Sequence, residues 1–145
     1  MSRDTDCIFC KIIAGEIPCA KLLEEEHALA FLDIGPVARG HALLIPKGHY
    51  QTLDEMPPEA AAAMFRRLPE LVRAVQAVTE CEGINVLQNN GRIAGQVVPH
   101  VHVHVIPREK AGRFSFNWPA GQYEEGQIDA LAKAIRRRLS EGEEK

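Results

Sequence analysis

Three of the chain's six histidines stand at positions 100, 102 and 104, alternating with Val101, Val103 and Val105. In an extended strand successive side chains point to opposite faces, so His100, His102 and His104 share one side and the valines the other. Same-face neighbours lie roughly 6.5–7 Å apart, which lets one phosphate touch two adjacent imidazoles. A neutral imidazole can attack phosphorus when its other ring nitrogen is held as a donor to a carbonyl or carboxylate. Solvent-facing histidines and a metal site are the competing readings. Three rings on one strand suit a single metal ion poorly, because ligands around a zinc lie only ~3–3.5 Å apart.

Further residues could carry chemistry. Cys7 and Cys10 form a C-x-x-C pair, which by itself is open between a metal site, a redox pair and coincidence. Asp33, before Ile34-Gly35-Pro36, is a turn residue or a ligand. His41, after the turn at Gly40, is either a catalytic neighbour or a satisfied, partly buried histidine. Trp118, the single tryptophan, reads as a core or interface plug. Arg136, Arg137 and Arg138 lie between Ile135 and Leu139 and read as the solvated face of a helix.

The elements that must position these groups follow from patterning. At 145 residues the chain fits one domain over 1–145, with 1–6 and 140–145 expected to be flexible. With 46% hydrophobic residues, 26% charged residues and a net charge of −3, it reads as a globular protein without the basic field that coats nucleic acid. Its longest apolar run, Ala60 to Phe65, is six residues, far short of the ~20 that span a bilayer, so no membrane partner is expected. The first residues carry no apolar signal core, so a cytoplasmic location is expected. There cysteines stay reduced, so metal ligation or core packing is favoured over disulfides.

A short apolar segment after Cys10 turns at Gly15 and stops at Pro18. Lys21–Glu25 and Ala28–Leu32 read as a hairpin turning at Glu26-His27, followed by a strand over Ala42–Pro46. Pro57-Pro58 suits a helix start and Gly83 its stop, with a kink or break at Pro69. Gly83–Gln88 reads as a strand. The histidine strand comes next, bracketed by Pro99 and Pro107 because proline lacks the ladder N–H. A final amphipathic helix spans Tyr123–Leu139, with Ser140–Lys145 as a loose tail.

The sequence His100-Val-His102-Val-His104-Val-Ile resembles the signature of the histidine triad family of nucleotide hydrolases and transferases, which act at an α-phosphate. Similar segments occur in the family's order: Cys7 to Pro18, Ala30 to Pro36, Gly40 to Pro46, Leu87 to Gly91, and Gly95-Gln96. The resemblance covers roughly Cys7 to Gly121. It implies an α+β fold with an antiparallel sheet of about five strands, a long helix, a C-terminal helix, and a homodimer.

It also implies roles. His102 matches the nucleophile that forms a nucleotidyl-histidine intermediate, with the His100 carbonyl holding its other nitrogen. His104 matches the residue that hydrogen-bonds the phosphate, and His41 a supporting histidine. Asn89, Gln96 and the backbone of Val97 and Val98 match positions lining the phosphate; several members carry Ser or Thr where this chain has Val97. Asp33 matches the ribose ligand, while Ile12, Ile17, Phe31 and Ile34 match the apolar slot for the base, with a purine nucleotide expected. Trp118 resembles a Trp-Pro segment that reaches towards the neighbouring subunit's site. Members with the cysteine pair bind a structural zinc, which here implies Cys7, Cys10, His49 and His100 as ligands. The activity implied is cleavage of a nucleoside phosphoramidate or related nucleotide. Hydrolysis of dinucleoside polyphosphates, or nucleotide-dependent regulation with residual turnover, are the alternatives.

Overall fold

A computed structural model describes residues 2–110 and 117–143. They fall into two compact units, 1–114 and 115–145. The first carries a five-stranded, wholly antiparallel sheet built from β1 (Lys21–Glu24), β2 (Ala28–Leu32), β3 (Ala42–Pro46), β4 (Gly83–Gln88) and β5 (Val103–Arg108). Their spatial order is β1-β2-β3-β5-β4, so β5 is held between β3 and β4.

At β3 both faces of this sheet are buried, which is why that strand reads as an unbroken apolar run rather than an alternation. On one face Ala42, Leu44, Val101, Val103 and Val105 pack with Met64, Leu71 and Val75 of helices α2 (Pro58–Phe65) and α3 (Leu68–Thr79). On the other, Leu29, Phe31, Leu43 and Ile45 pack with Cys7, Phe9 and Cys10 around the short helix α1 (Ile8–Ile13). The valines of the histidine segment thus face the long helices and its imidazoles face α1. Phe9 sits edge-on to His100 and His102, at ring-centroid distances of 5.8 and 5.2 Å.

Several boundaries differ from expectation. β5 begins only at Val103, because the backbone at 100 and 101 is engaged elsewhere: His100 N–H donates to the Val98 carbonyl and Val101 N–H to the Tyr50 carbonyl. Pro107 lies inside β5 rather than beyond it. It pairs with Ile84 of β4, past Val105, where pairing with β3 ends, so its missing N–H breaks no ladder on that side. The long helix is split at Arg66-Arg67, and Pro69 falls in the first turn of α3, where an absent N–H costs nothing. α3 ends at Glu80, in the left-handed conformation with φ 53°, and Gly83 opens β4 instead of stopping the helix. At the N-terminus Ser2 exchanges hydrogen bonds with the backbone of His49, and Arg3 pairs with Glu16.

Gly40 supplies a close approach that seats the loop carrying His41. Its φ is +91°, and a Cβ there would lie 2.5 Å from Cγ2 of Thr79 at the end of α3. Only glycine meets both conditions without displacement.

The second unit contains helix α4 (Gln127–Glu143), preceded by Gly126 at φ 78°. α4 continues through Glu143, past the expected tail start at Ser140; the Ser140 hydroxyl donates to the Arg136 carbonyl and Arg138 pairs with Glu141. Its stripe of Ile128, Leu131, Ile135 and Leu139 is exposed. Phe116, read with Trp118 as one segment, lies outside the described residues. Among the described residues, no helix is long and apolar enough to cross a membrane.

Candidate functional site

A cavity of about 320 Å³ opens on the α1 side of the sheet. Apolar side chains from α1 and β2, with those of Ile17 and Ile34, form one wall, while Gly95, Val97 and Val98 contribute from the loop before the histidines. Asp33, His102 and His104 supply its polar surface. Ile12, Ile17, Phe31, Ile34, Asp33, Val97 and Val98 are all brought to this one space. Ile34 and Val97 stand at its mouth, 95% and 88% exposed.

The two imidazoles are held in opposite senses. His102 is buried and its Nδ1–H donates to the His100 carbonyl at 2.7 Å, which leaves Nε2 with the lone pair. His104 stands beside it, ring centroids 4.9 Å apart, with its Nδ1 2.9 Å from Nε2 of buried His41. Burial holds the pKa of His102 and of His41 below the ordinary histidine value, and that of His104 down to about 4. Charge on the neighbouring histidines pushes His104 in the same direction, against a smaller opposing pull from Asp33. These shifts favour the uncharged rings, the form in which an imidazole offers a lone pair.

Asp33 is a turn residue at the edge of the cavity. Its Oδ1 accepts from the Gly35 N–H at 2.8 Å, closing the turn, and the residue also lines the cavity. Its Oδ2 lies 3.7 Å from His41 Nε2.

Two other residues expected at the phosphate, Gln96 and Asn89, are not among those lining this cavity. The buried Gln96 side chain braces the loop: Nε2 donates to the carbonyls of Gln51 and Val98, and Oε1 accepts from the Gly91 N–H. Asn89 lies against Gly95, where an added Cβ would come within 3.4 Å of its Nδ2. Trp118 belongs to the second unit. Phe9 and Leu43 also line the cavity and were not singled out from sequence. The C-x-x-C spacing carries no signal for Phe9, because helix residues one or two positions apart do not share a face.

A second cluster lies under His100. Sγ of Cys7 and Cys10 and Nδ1 of His49 and His100 converge within 4.8 Å of one another and could hold a metal ion. His100 is fully buried and donates its Nε2–H to the Pro46 carbonyl at 2.9 Å, so its Nδ1 lone pair faces the sulfurs. Burial pushes the Cys10 thiol up and His100 down to about 4, so the His100 ring stays neutral with a lone pair to offer, while a Cys10 thiolate needs a cation to compensate its charge. The donor set is soft and closed, with no ligand position directed at the cavity. Asp33, His41 and His104 also converge, but the 2.9 Å separation of the two imidazole nitrogens is that of a hydrogen bond.

A lone-pair imidazole beside a second imidazole, at the polar end of an apolar cleft that also holds a carboxylate, is an arrangement able to attack an electrophile on an α+β scaffold. The HIT domain family matches residues 14–111. Among relatives, "Protein hit" of Bacillus subtilis is 45% identical over 138 residues, covering 93% of this chain and 95% of its own. Adenosine 5'-monophosphoramidase of Schizosaccharomyces pombe is 47% identical over 135 residues, covering 92% and 98%. A crystal structure of a HIT family member from Bacillus subtilis superposes with a TM-score of 0.88 at 44% identity, covering 92% of this chain and 96% of that one. The chain belongs to the HIT domain family.

Proposed function

We propose that this protein is a nucleotide hydrolase that cleaves nucleoside phosphoramidates at the α-phosphate through a covalent intermediate on His102. The observation that carries this reading is the His102 ring: its Nδ1–H is tied to the His100 carbonyl and its other nitrogen is left as a lone pair in the cavity wall. The Nε2 lone pair attacks the α-phosphorus, the bond from phosphorus to the leaving amine breaks, and the amine departs with a proton from solvent. Water then attacks phosphorus, the bond to His102 breaks, and a nucleoside monophosphate leaves. Splitting the transfer lets water enter after the amine has gone.

His104 donates to the phosphate oxygens and the Val97 and Val98 backbone lines them, placing fixed dipoles where charge develops. Asp33 accepts from both ribose hydroxyls with its two oxygens. Ile12, Ile17, Phe31 and Ile34 sandwich the base, and a purine uses this apolar area best. His41, Gln96 and Asn89 support these groups from behind. The similarity to a monophosphoramidase at 47% identity supports the substrate class.

The metal held by Cys7, Cys10, His49 and His100 is zinc in this reading. Bonds of ~2.3 Å to sulfur and ~2.0–2.1 Å to nitrogen put S···N and N···N pairs about 3.5 and 3.3 Å apart around a tetrahedral zinc. Three of the four S···N separations here are 3.5, 3.4 and 3.7 Å and the N···N separation is 3.2 Å. Zinc would supply folding stability and fix His100, whose carbonyl orients the nucleophile. The protein acts as a homodimer in the cytoplasm, where its ligand thiols stay reduced. Turnover of a nucleoside phosphoramidate by the wild type, and its loss in His102→Ala with nucleotide binding retained, tests the reading.

A further inference from the structure

The Val37 amide donates to Nδ1 of His41 at 3.1 Å. An amide N–H can only donate, so this nitrogen carries the lone pair, and a neutral His41 must keep its proton on Nε2. That Nε2–H points at His104 Nδ1, 2.9 Å away, which must therefore accept. The single proton of a neutral His104 is then left on Nε2, the nitrogen remaining for the cavity that this residue lines. The Asp33 carboxylate, 3.7 Å from His41 Nε2, is too far to divert the donor. His102 is set the opposite way by the His100 carbonyl. Two adjacent imidazoles thus present one lone pair and one N–H to the same space.

We propose that the Val37 amide and His41 form a positioning relay that fixes His104 as an Nε2–H donor to the transferring phosphoryl group. The role assigned to His104 rests on the function proposed above; the tautomer assignment does not. With the reverse tautomer, His104 would turn a lone pair towards phosphate oxygens and repel them. His41 acts through His104 and does not line the cavity, so it sets the rate of the chemical step rather than the affinity for nucleotide.

Long-range proton–nitrogen NMR on the full, uniformly nitrogen-15-labelled chain near neutral pH reads the tautomers directly. His104 and His41 should both be protonated at Nε2, and His102 at Nδ1. A wild-type His104 protonated at Nδ1 overturns the proposal, and this measurement needs no variant. In His41→Leu the His104 ring should become a mixture of tautomers, with kcat lower by about tenfold and KM changed by less than about twofold. His41→Gln, whose amide can accept from Val37 and donate to His104, should restore the Nε2–H form and most of kcat. An unchanged tautomer in folded His41→Leu also overturns the relay. If the tautomers are as stated but no nucleotide is turned over, the proposed function fails while the relay stands.

Discussion

Replacing Gly40 with alanine tests how the loop carrying His41 is seated on α3. Two costs can be worked separately. A φ of +91° is unfavourable for an L residue with a Cβ, by about 1–2 kcal/mol. The added carbon would lie 2.5 Å from Thr79 Cγ2, whereas carbon atoms rest at about 3.5–4.0 Å, so roughly 1 Å of displacement is forced. Overpacking of that kind costs about 1–3 kcal/mol. Gly40→Ala should therefore lose about 2–5 kcal/mol, a large share of a typical domain's 5–15 kcal/mol, and lower Tm by about 8–20 °C. Thr79→Ser removes Cγ2 yet keeps the hydroxyl that donates to the Val75 carbonyl at 2.8 Å. Urea denaturation of both single variants and the double variant isolates the clash. The double variant should be more stable than additivity predicts by about 1–3 kcal/mol, and additivity within about 0.5 kcal/mol would refute the contact.

Two further outcomes follow from the same structure. Metal analysis of the purified protein should find one zinc per chain, and Cys7→Ser should lose it together with several degrees of Tm; a wild type that is metal-free and equally stable after chelation contradicts the assignment. The lowered pKa of His104 carries a pH signature. Its unfolded-state value is near 6.5 and its folded value about 4, so the unfolded chain binds more protons between them. The stability gained from its neutral burial is fully present above about 6.5 and is lost as pH falls towards about 4. Thermal melts across that window should fall less steeply for His104→Gln than for wild type, and parallel curves would argue against the shift.

Much of this architecture could be read from periodicity. The strands at Ala28–Leu32, Ala42–Pro46 and Gly83–Gln88 stand where alternation and bounding turns place them. The separation of valines from imidazoles survives in the fold, because an alternating pattern with a buried valine face tolerates no slip in register. What could not be read depended on tertiary partners. The extended stretch at His100 and Val101 is withheld from the sheet by bonds to Val98 and Tyr50, and no local signal encodes those partners. Glu80 caps α3 in a conformation usually left to glycine, so the true helix end was hidden by the more conspicuous Gly83. Phe9 looked like an apolar residue between two cysteines, yet it packs on His102 and lines the cleft. The cysteine pair was ambiguous in sequence; its convergence with His49 and His100 required the strand order to bring residues 39 to 93 positions apart together.

The central claim is that His102 carries the nucleotidyl group. Brief incubation with a nucleoside phosphoramidate, followed by mass spectrometry without acid, should reveal a nucleotidyl adduct on the peptide containing His102 in the wild type and none in His102→Ala. Substrate turnover with the adduct on another residue, or undiminished turnover by His102→Ala, would contradict the account.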